Sequence, residues 1–69
     1  METNRKERLD KAFNYTTEAL NDAIYHVKAI GNILLLENES EVAERAIRLV
    51  KDLESCIEYA DSIKKEAIK

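Results

Sequence analysis

Two side chains in this 69-residue sequence, His26 and Cys56, have the chemistry of a nucleophile or a metal ligand, and each type occurs once. A reactive cysteine needs an activating group beside it, and a metal site needs several ligands at short spacing. The position one helical turn before His26 is Ala23, where carboxylate-bridged metal sites in helical bundles carry Glu. We therefore interpret His26 as a residue at the edge of a helical bundle and Cys56 as a small core residue.

The other polar residues also lack the patterns that catalysis needs. Glu44, Lys51, Glu58 and Lys65 recur every seventh residue with alternating charge, which is typical of a solvated helix face. A single Gly excludes a glycine-rich phosphate loop and a serine nucleophile flanked by glycines. We predict that the protein is not an enzyme and has no catalytic residues, no cofactor and no metal site.

Composition and charge further restrict the functional class and the cellular location of the protein. The net charge is -3 and the isoelectric point is about 5.1, whereas a dedicated nucleic-acid-binding protein normally has a clear excess of Lys and Arg. The longest apolar run, residues 33–36, is far shorter than the ~18 residues of a membrane-spanning helix. The N-terminal residues lack the apolar segment of an export signal, and one cysteine cannot form an internal disulfide. We expect a cytoplasmic protein without membrane association.

Apolar and small residues recur at alternating spacings of four and three in both halves of the chain. This heptad pattern, uninterrupted by Pro, predicts two long amphipathic helices and an all-α fold. The first seam comprises Leu9, Phe13, Thr16, Leu20, Ala23, Val27, Ile30 and Leu34, and the second comprises Val42, Ala46, Leu49, Leu53, Cys56, Ala60, Ile63 and Ala67.

The two seams differ in phase by one residue, and the phase changes at residues 38–40. Asn38 tolerates the left-handed conformation that ends a helix, and Ser40 can cap the next helix. Asn4, with Glu7 three residues later, resembles a capping box. We predict helices at about 5–36 and 41–67 joined by a short turn, which makes them antiparallel within a single domain, residues 1–69. This pairing sets Gly31 level with Ala46.

The apolar faces are wider than the contact between two helices can cover. Ala43, Val50 and Ile57 flank the second seam, and Ile24 and Ile33 flank the first. Faces of this width are typical of bundles of three or more helices. We predict that two hairpins associate as a homodimeric four-helix bundle, because two-fold symmetric dimers are common. The predicted dimer core comprises Phe13, Leu20, Val27, Ile30, Leu34, Val50, Leu53 and Ile57.

Charge bears on the relative orientation of the two hairpins without fixing it. Residues 37–45 contain four Glu and one Arg, a net charge of -3, whereas residues 1–11 contain four basic and three acidic residues, a net charge of +1. An antiparallel arrangement sets each acidic turn beside the partner's termini, which electrostatic complementarity favours. The sequence leaves both the parallel and the antiparallel arrangement open.

The leading functional hypothesis is a small interaction protein, such as a regulatory adaptor or inhibitor, that binds a protein partner through exposed aromatic and apolar side chains. Tyr25 falls on the outermost stripe of the first helix, and three apolar residues near the turn lie off the seams. The candidate partner surface comprises Tyr25, Leu35, Leu36 and Ile47.

Two other classes of function stay open. A small helical dimer could bind RNA or DNA through basic residues on its helix faces, namely Arg5, Arg8, Lys11, Arg45, Arg48 and Lys51. The chain could instead be a purely structural oligomerisation module, or bind a small molecule in a gap beside Gly31 and Ala46.

Overall fold

The computed structural model describes residues 2–68, with side chains from Asn4 to Ile68, and it is built from two α-helices. Helix α1 comprises Glu2–Leu36 and helix α2 comprises Ser40–Ala67. The helices pack against each other as a hairpin, which confirms the predicted all-α fold of two packed helices. Met1 and Lys69, the ends of the predicted domain, lie outside the described residues.

Helix α1 begins three residues and helix α2 one residue before the predicted starts, and the two predicted capping residues do not cap. Helix α1 begins at Glu2, so Asn4 lies inside the first turn and does not cap the helix. Residues 2–4 include no Gly or Pro that would interrupt a helix before Arg5. The guanidinium of Arg5 donates a hydrogen bond to the backbone carbonyl of Ala67 at 3.4 Å. Ser40 is the first residue of α2 and not its cap, because the capping position is Glu39, whose side chain makes no capping hydrogen bond.

The turn between the helices depends on Asn38, as the sequence predicts. Asn38 has a φ of 62°, a left-handed conformation that Asn tolerates better than most residues. Two backbone hydrogen bonds then close the end of α1: the N–H of Glu39 donates to the carbonyl of Leu34 at 2.9 Å, and that of Asn38 donates to Leu35 at 3.1 Å. This pair is the Schellman arrangement, which satisfies carbonyls that a helix end otherwise leaves free.

The contact between the helices runs along a stripe that lies to one side of the predicted seams. Ile24 and Gly31 of α1 and Ala43 and Val50 of α2 are buried, although the seams place none of these four at the contact. The buried or half-buried apolar residues that face the other helix are Phe13, Leu20, Ile24, Val27, Gly31 and Leu34 of α1 and Ala43, Ala46, Val50, Leu53, Ile57 and Ala60 of α2.

Small residues near the turn explain this rotation. The Gly31 backbone lies against Ala46, and a Cβ placed on Gly31 would be 3.7 Å from the Cβ of Ala46. Ala43, on the same side of α2, is completely buried. Helices approach most closely where side chains are smallest, so each helix turns its stripe of small residues inward. The predicted pairing of Gly31 with Ala46 is confirmed.

At the other end of the hairpin, polar contacts hold the helices together. Lys64 forms an ion pair with Asp10, with 3.5 Å between the ammonium nitrogen and the carboxylate oxygen. The bond from Arg5 to the Ala67 carbonyl places a positive charge at the C-terminus of α2, where the helix dipole favours it. Both contacts are solvent-accessible, so each contributes about 1 kcal/mol or less.

The hairpin is a thin slab whose Cα atoms extend over 56 × 15 × 8 Å. Ile24, Ala43 and Val50 are the buried apolar side chains in the part of the chain that the structure describes. A slab one helix thick shields only one stripe of each helix, which is why so little is buried. Neither α1 nor α2 is both long and apolar enough to cross a membrane.

Replacing Gly31 with Ala is expected to stabilise the hairpin. The added methyl group would meet Ala46 at 3.7 Å, an ordinary van der Waals distance, and Ala in a helix interior is more favourable than Gly by roughly 0.5–1 kcal/mol. Thermal unfolding at fixed protein concentration should show an increase in Tm of several degrees. A decrease in Tm would mean that the helices approach more closely at this position than described here.

Residue 38 should accept Gly and resist Ala. Asn38→Gly removes the Cβ penalty at a φ of 62°, so stability should stay the same or rise, whereas Asn38→Ala should lower it by about 1 kcal/mol. Asn14→Ala is the matched control, because Asn14 is exposed within α1 and Ala favours the helix there. Equal effects of the two Ala substitutions in urea unfolding would contradict the assigned turn.

Candidate interaction surfaces

The two residues with catalytic or ligating chemistry lie on the surface. Cys56 has a free thiol and is exposed, so in a single hairpin it is not the core residue that the sequence predicts. His26 is also exposed, and its ring packs edge-on against Tyr25 with 5.6 Å between ring centroids. Among the described residues, no three His, Cys, Asp or Glu side chains are grouped so that they could hold a metal ion.

One broad side of the hairpin carries an apolar surface that the two helices do not cover. We call it the open face and define it by one heptad position on each helix: Leu9, Thr16, Ala23 and Ile30 on α1, and Val42, Leu49, Cys56 and Ile63 on α2. These residues are half of each predicted seam. Ile30 is 51% exposed and Leu49 is 46% exposed, because both lie beside the contact between the helices and not in it.

The opposite side has a different character. Its corresponding heptad positions on α1 carry Asn14, Asn21 and Lys28, and those on α2 carry Glu54 and Asp61. Apolar residues occupy these positions only near the ends of α2 and the turn end of α1. Of the two sides, therefore, only the open face is apolar along its length.

The middle of the open face is a shallow apolar depression of about 430 Å³. Its lining includes Thr16 and Leu20 from α1 and Cys56, Tyr59 and Ile63 from α2. The hydroxyl of Thr16 donates a hydrogen bond to the carbonyl of Ala12 at 2.9 Å, so Thr16 presents its methyl group without an unpaired hydroxyl. The open face can therefore be covered without leaving this hydroxyl unsatisfied.

Seven of the eight predicted dimer-core residues lie at the contact within the hairpin. Val50 is buried there, and Phe13, Leu20, Val27, Leu34, Leu53 and Ile57 are half-buried. Ile30 alone is exposed on the open face. A second hairpin on the open face would enclose the half-buried residues from their exposed side, so their place in a dimer core stays a prediction.

The four residues of the candidate partner surface are all exposed, and we call them the turn-end patch: Tyr25, Leu35, Leu36 and Ile47. Leu35 and Ile47 lie on the side away from the open face. Leu36, the last residue of α1, is 85% exposed. An apolar cleft of about 210 Å³ opens between Leu35 and Ile47, with Gly31 and Val50 in its wall. Its lining includes Gly31 but not Ala46, the two residues beside which the sequence leaves a small-molecule site open.

The six basic residues of the nucleic-acid hypothesis fall into two groups. Arg5, Arg8 and Lys11 lie at the start of α1, whereas Arg45, Arg48 and Lys51 lie near the turn. The two groups are far apart along the hairpin. Arg48 lies beside a part of α1 that is about 20 residues from Arg8, which is about 30 Å along a helix. Glu7, Glu41 and Glu44 are interspersed with these cations. Within residues 4–68, these cations therefore form no continuous basic surface on a single hairpin.

The sequence contained a signal for the open face that the heptad seams alone did not use. Gly31, Ala43 and Ala46 are small apolar residues near the turn, and their closest approach determines which stripe of each helix faces inward. Once that stripe is fixed, Val42 and Leu49 must lie outside it.

Comparison of the chain with protein-family models, with curated proteins and with solved structures finds no match.

Proposed function

We propose that this protein is a non-enzymatic protein-interaction module, such as a regulatory adaptor or inhibitor, that acts as a homodimeric four-helix bundle. The observation that carries the proposal is the exposed apolar stripe along the open face, which includes Ile30, Val42, Leu49 and Ile63. Burying a side chain of this size contributes about 1.5–3 kcal/mol. A hairpin with three buried apolar side chains among its described residues gains from covering this face.

A second copy is the occupant that we propose for the open face. Its length and shape match those of the face, and its own apolar side requires the same cover. Two hairpins stacked through these faces form a four-helix bundle in which all eight predicted core residues are enclosed, Ile30 by the second copy itself. The cytoplasmic location expected from the sequence belongs to the same proposal.

The turn-end patch is the surface that we propose for a different protein. Leu35 and Ile47 point to the side opposite the open face, so dimerisation leaves them and the cleft between them accessible. The polar residues that line the cleft are Lys28 and Asn32. A partner helix with one large apolar side chain for the cleft fits these features.

A pair of substitutions two residues apart tests the two surfaces separately. Leu49 and Ile47 are 46% and 48% exposed, but they lie on opposite sides of α2. Leu49→Glu should weaken dimerisation by at least about a hundredfold, because it buries an unpaired charge. Light scattering should then give a mass near 7.9 kDa instead of twice that value. Ile47→Glu should leave the dimer intact.

If Leu49→Glu remains dimeric, or if both variants dissociate to the same extent, the open face is not the dimer interface. Circular dichroism on each variant separates dissociation from unfolding, since a dissociated hairpin keeps helical signal and an unfolded chain does not.

Partner binding should depend on the turn-end patch. Leu36→Glu and Tyr25→Ala should each reduce capture of a protein partner by the tagged dimer roughly tenfold or more, because exposed aromatic and apolar anchors carry much of the energy at interfaces. Tyr15→Ala is the matched control, since Tyr15 is an exposed tyrosine of α1 far from the turn. Unchanged capture by both patch variants, with the dimer intact, would rule out this surface.

A further inference from the structure

Three of the four α2 residues on the open face are arranged symmetrically about Cys56, and Val42 lies outside this set. Leu49 and Ile63 lie seven residues before and after Cys56, and all three residues are exposed on this face. Two large apolar side chains are therefore placed at equal distances from a small central one.

The same arrangement occurs on α1 about the midpoint between Ala19 and Leu20. Thr16 and Ala23 are equally distant from this midpoint, and so are Leu9 and Ile30, seven residues further out. Small side chains again lie near the centre and large ones near the ends.

The two centres lie at the same level of the hairpin. Gly31 is beside Ala46, and Asp10 pairs with Lys64. Twenty-one residues of α1 therefore run alongside eighteen residues of α2 between these contacts. When positions between these contacts are scaled by this ratio of 21 to 18, the midpoint between residues 19 and 20 of α1 is level with about residue 56 of α2. The central depression, lined by both Leu20 and Cys56, agrees with this level.

We infer that a second copy of this chain docks on the open face in the antiparallel orientation, about a two-fold axis that is perpendicular to the helices and passes at the level of Cys56. This arrangement places α1 on α1 and α2 on α2. Cys56 then meets Cys56, Leu49 of each copy meets Ile63 of the other, and Leu9 meets Ile30. The inference rests on the dimer proposed above and specifies its register.

Charges at the border of the open face complement each other in this orientation. Arg45 and Glu66 share the heptad position next to the face on α2, and they lie eleven residues before and ten residues after Cys56. Antiparallel docking sets Arg45 of each copy opposite Glu66 of the other. It also brings each acidic turn, with its net charge of -3, to the basic start of α1. Parallel docking would instead set the two acidic turns side by side, where like charges repel.

Disulfide formation at Cys56 tests the orientation directly. The mass of the reduced protein is measured first, and the dimer is then treated with diamide, which takes up the two protons and two electrons released as two thiols join. The main product should be a dimer linked through Cys56. In a parallel dimer the two α2 helices are diagonal neighbours, and their Cys56 Cα atoms would be further apart than the ~7 Å that a disulfide spans.

Two relocated cysteines provide matched controls on the same helix. When Leu49→Cys or Ile63→Cys is introduced alone into the Cys56→Ser protein, the dimer should form no disulfide. The reason is that residue 49 of one copy lies opposite residue 63 of the other copy, and not opposite residue 49. Mixing the two variants in equal amounts should give the mixed disulfide.

A dimeric mass without linkage at Cys56, or self-linkage of the Leu49→Cys variant, would overturn the antiparallel register while the dimer itself stands. A monomeric mass for the reduced wild-type protein would overturn the dimer, and the register with it.

Charge reversal provides a second test that needs no oxidant. Arg45→Glu should raise the dimer dissociation constant roughly three- to tenfold, because it places two carboxylates together. Adding Glu66→Arg should restore the wild-type value, since the pair is then reversed across the interface. Failure of the double variant to recover would contradict the pairing of residues 45 and 66.

Discussion

The structure depends on one geometric constraint: two helices in contact shield one stripe of each other, while the apolar surface of these helices is wider than that stripe. Small residues near the turn decide which stripe is shielded, because Gly31 and the Ala46 side chain allow the closest approach. Six of the eight residues of the open face are exposed as a consequence of that choice, and Leu9 and Ala23 are half-buried. The same choice leaves the polar side chains of the opposite face in water, so they pay no free-energy cost of desolvation.

Local signals in the sequence predict most of the hairpin. The heptad spacing gives the two helices, and Asn38 gives the turn because few other residues adopt a φ of 62° without strain. The rotation of each helix about its axis could not be read from spacing alone. Half of each seam, including Ile30 and Leu49, lies outside the contact, since rotation follows from the packing of small residues on two helices together. The helix starts were predicted to within three residues, but the caps were not, because Asn4 and Ser40 have capping side chains that the structure does not use for capping.

The candidate surfaces were predictable to different degrees. The exposure of Tyr25 and Leu36 follows from their positions on the outward stripe and at the helix end. The open face required the structure, because Val42 and Cys56 have the same heptad spacing as residues that face inward. Once the two faces are distinguished, self-association and partner binding no longer compete for the same side chains. A dimer built on the open face displays two turn-end patches, and in the antiparallel arrangement these lie at opposite ends of the bundle.

The proposed dimer and its two partner surfaces both require that a second copy covers the open face. The most direct test is the mass of the reduced wild-type protein, measured by light scattering during size exclusion from low micromolar concentration upward. We expect a constant mass of twice 7.9 kDa. A helical species of 7.9 kDa across the whole range would contradict the account and leave the open face to be covered by a different protein.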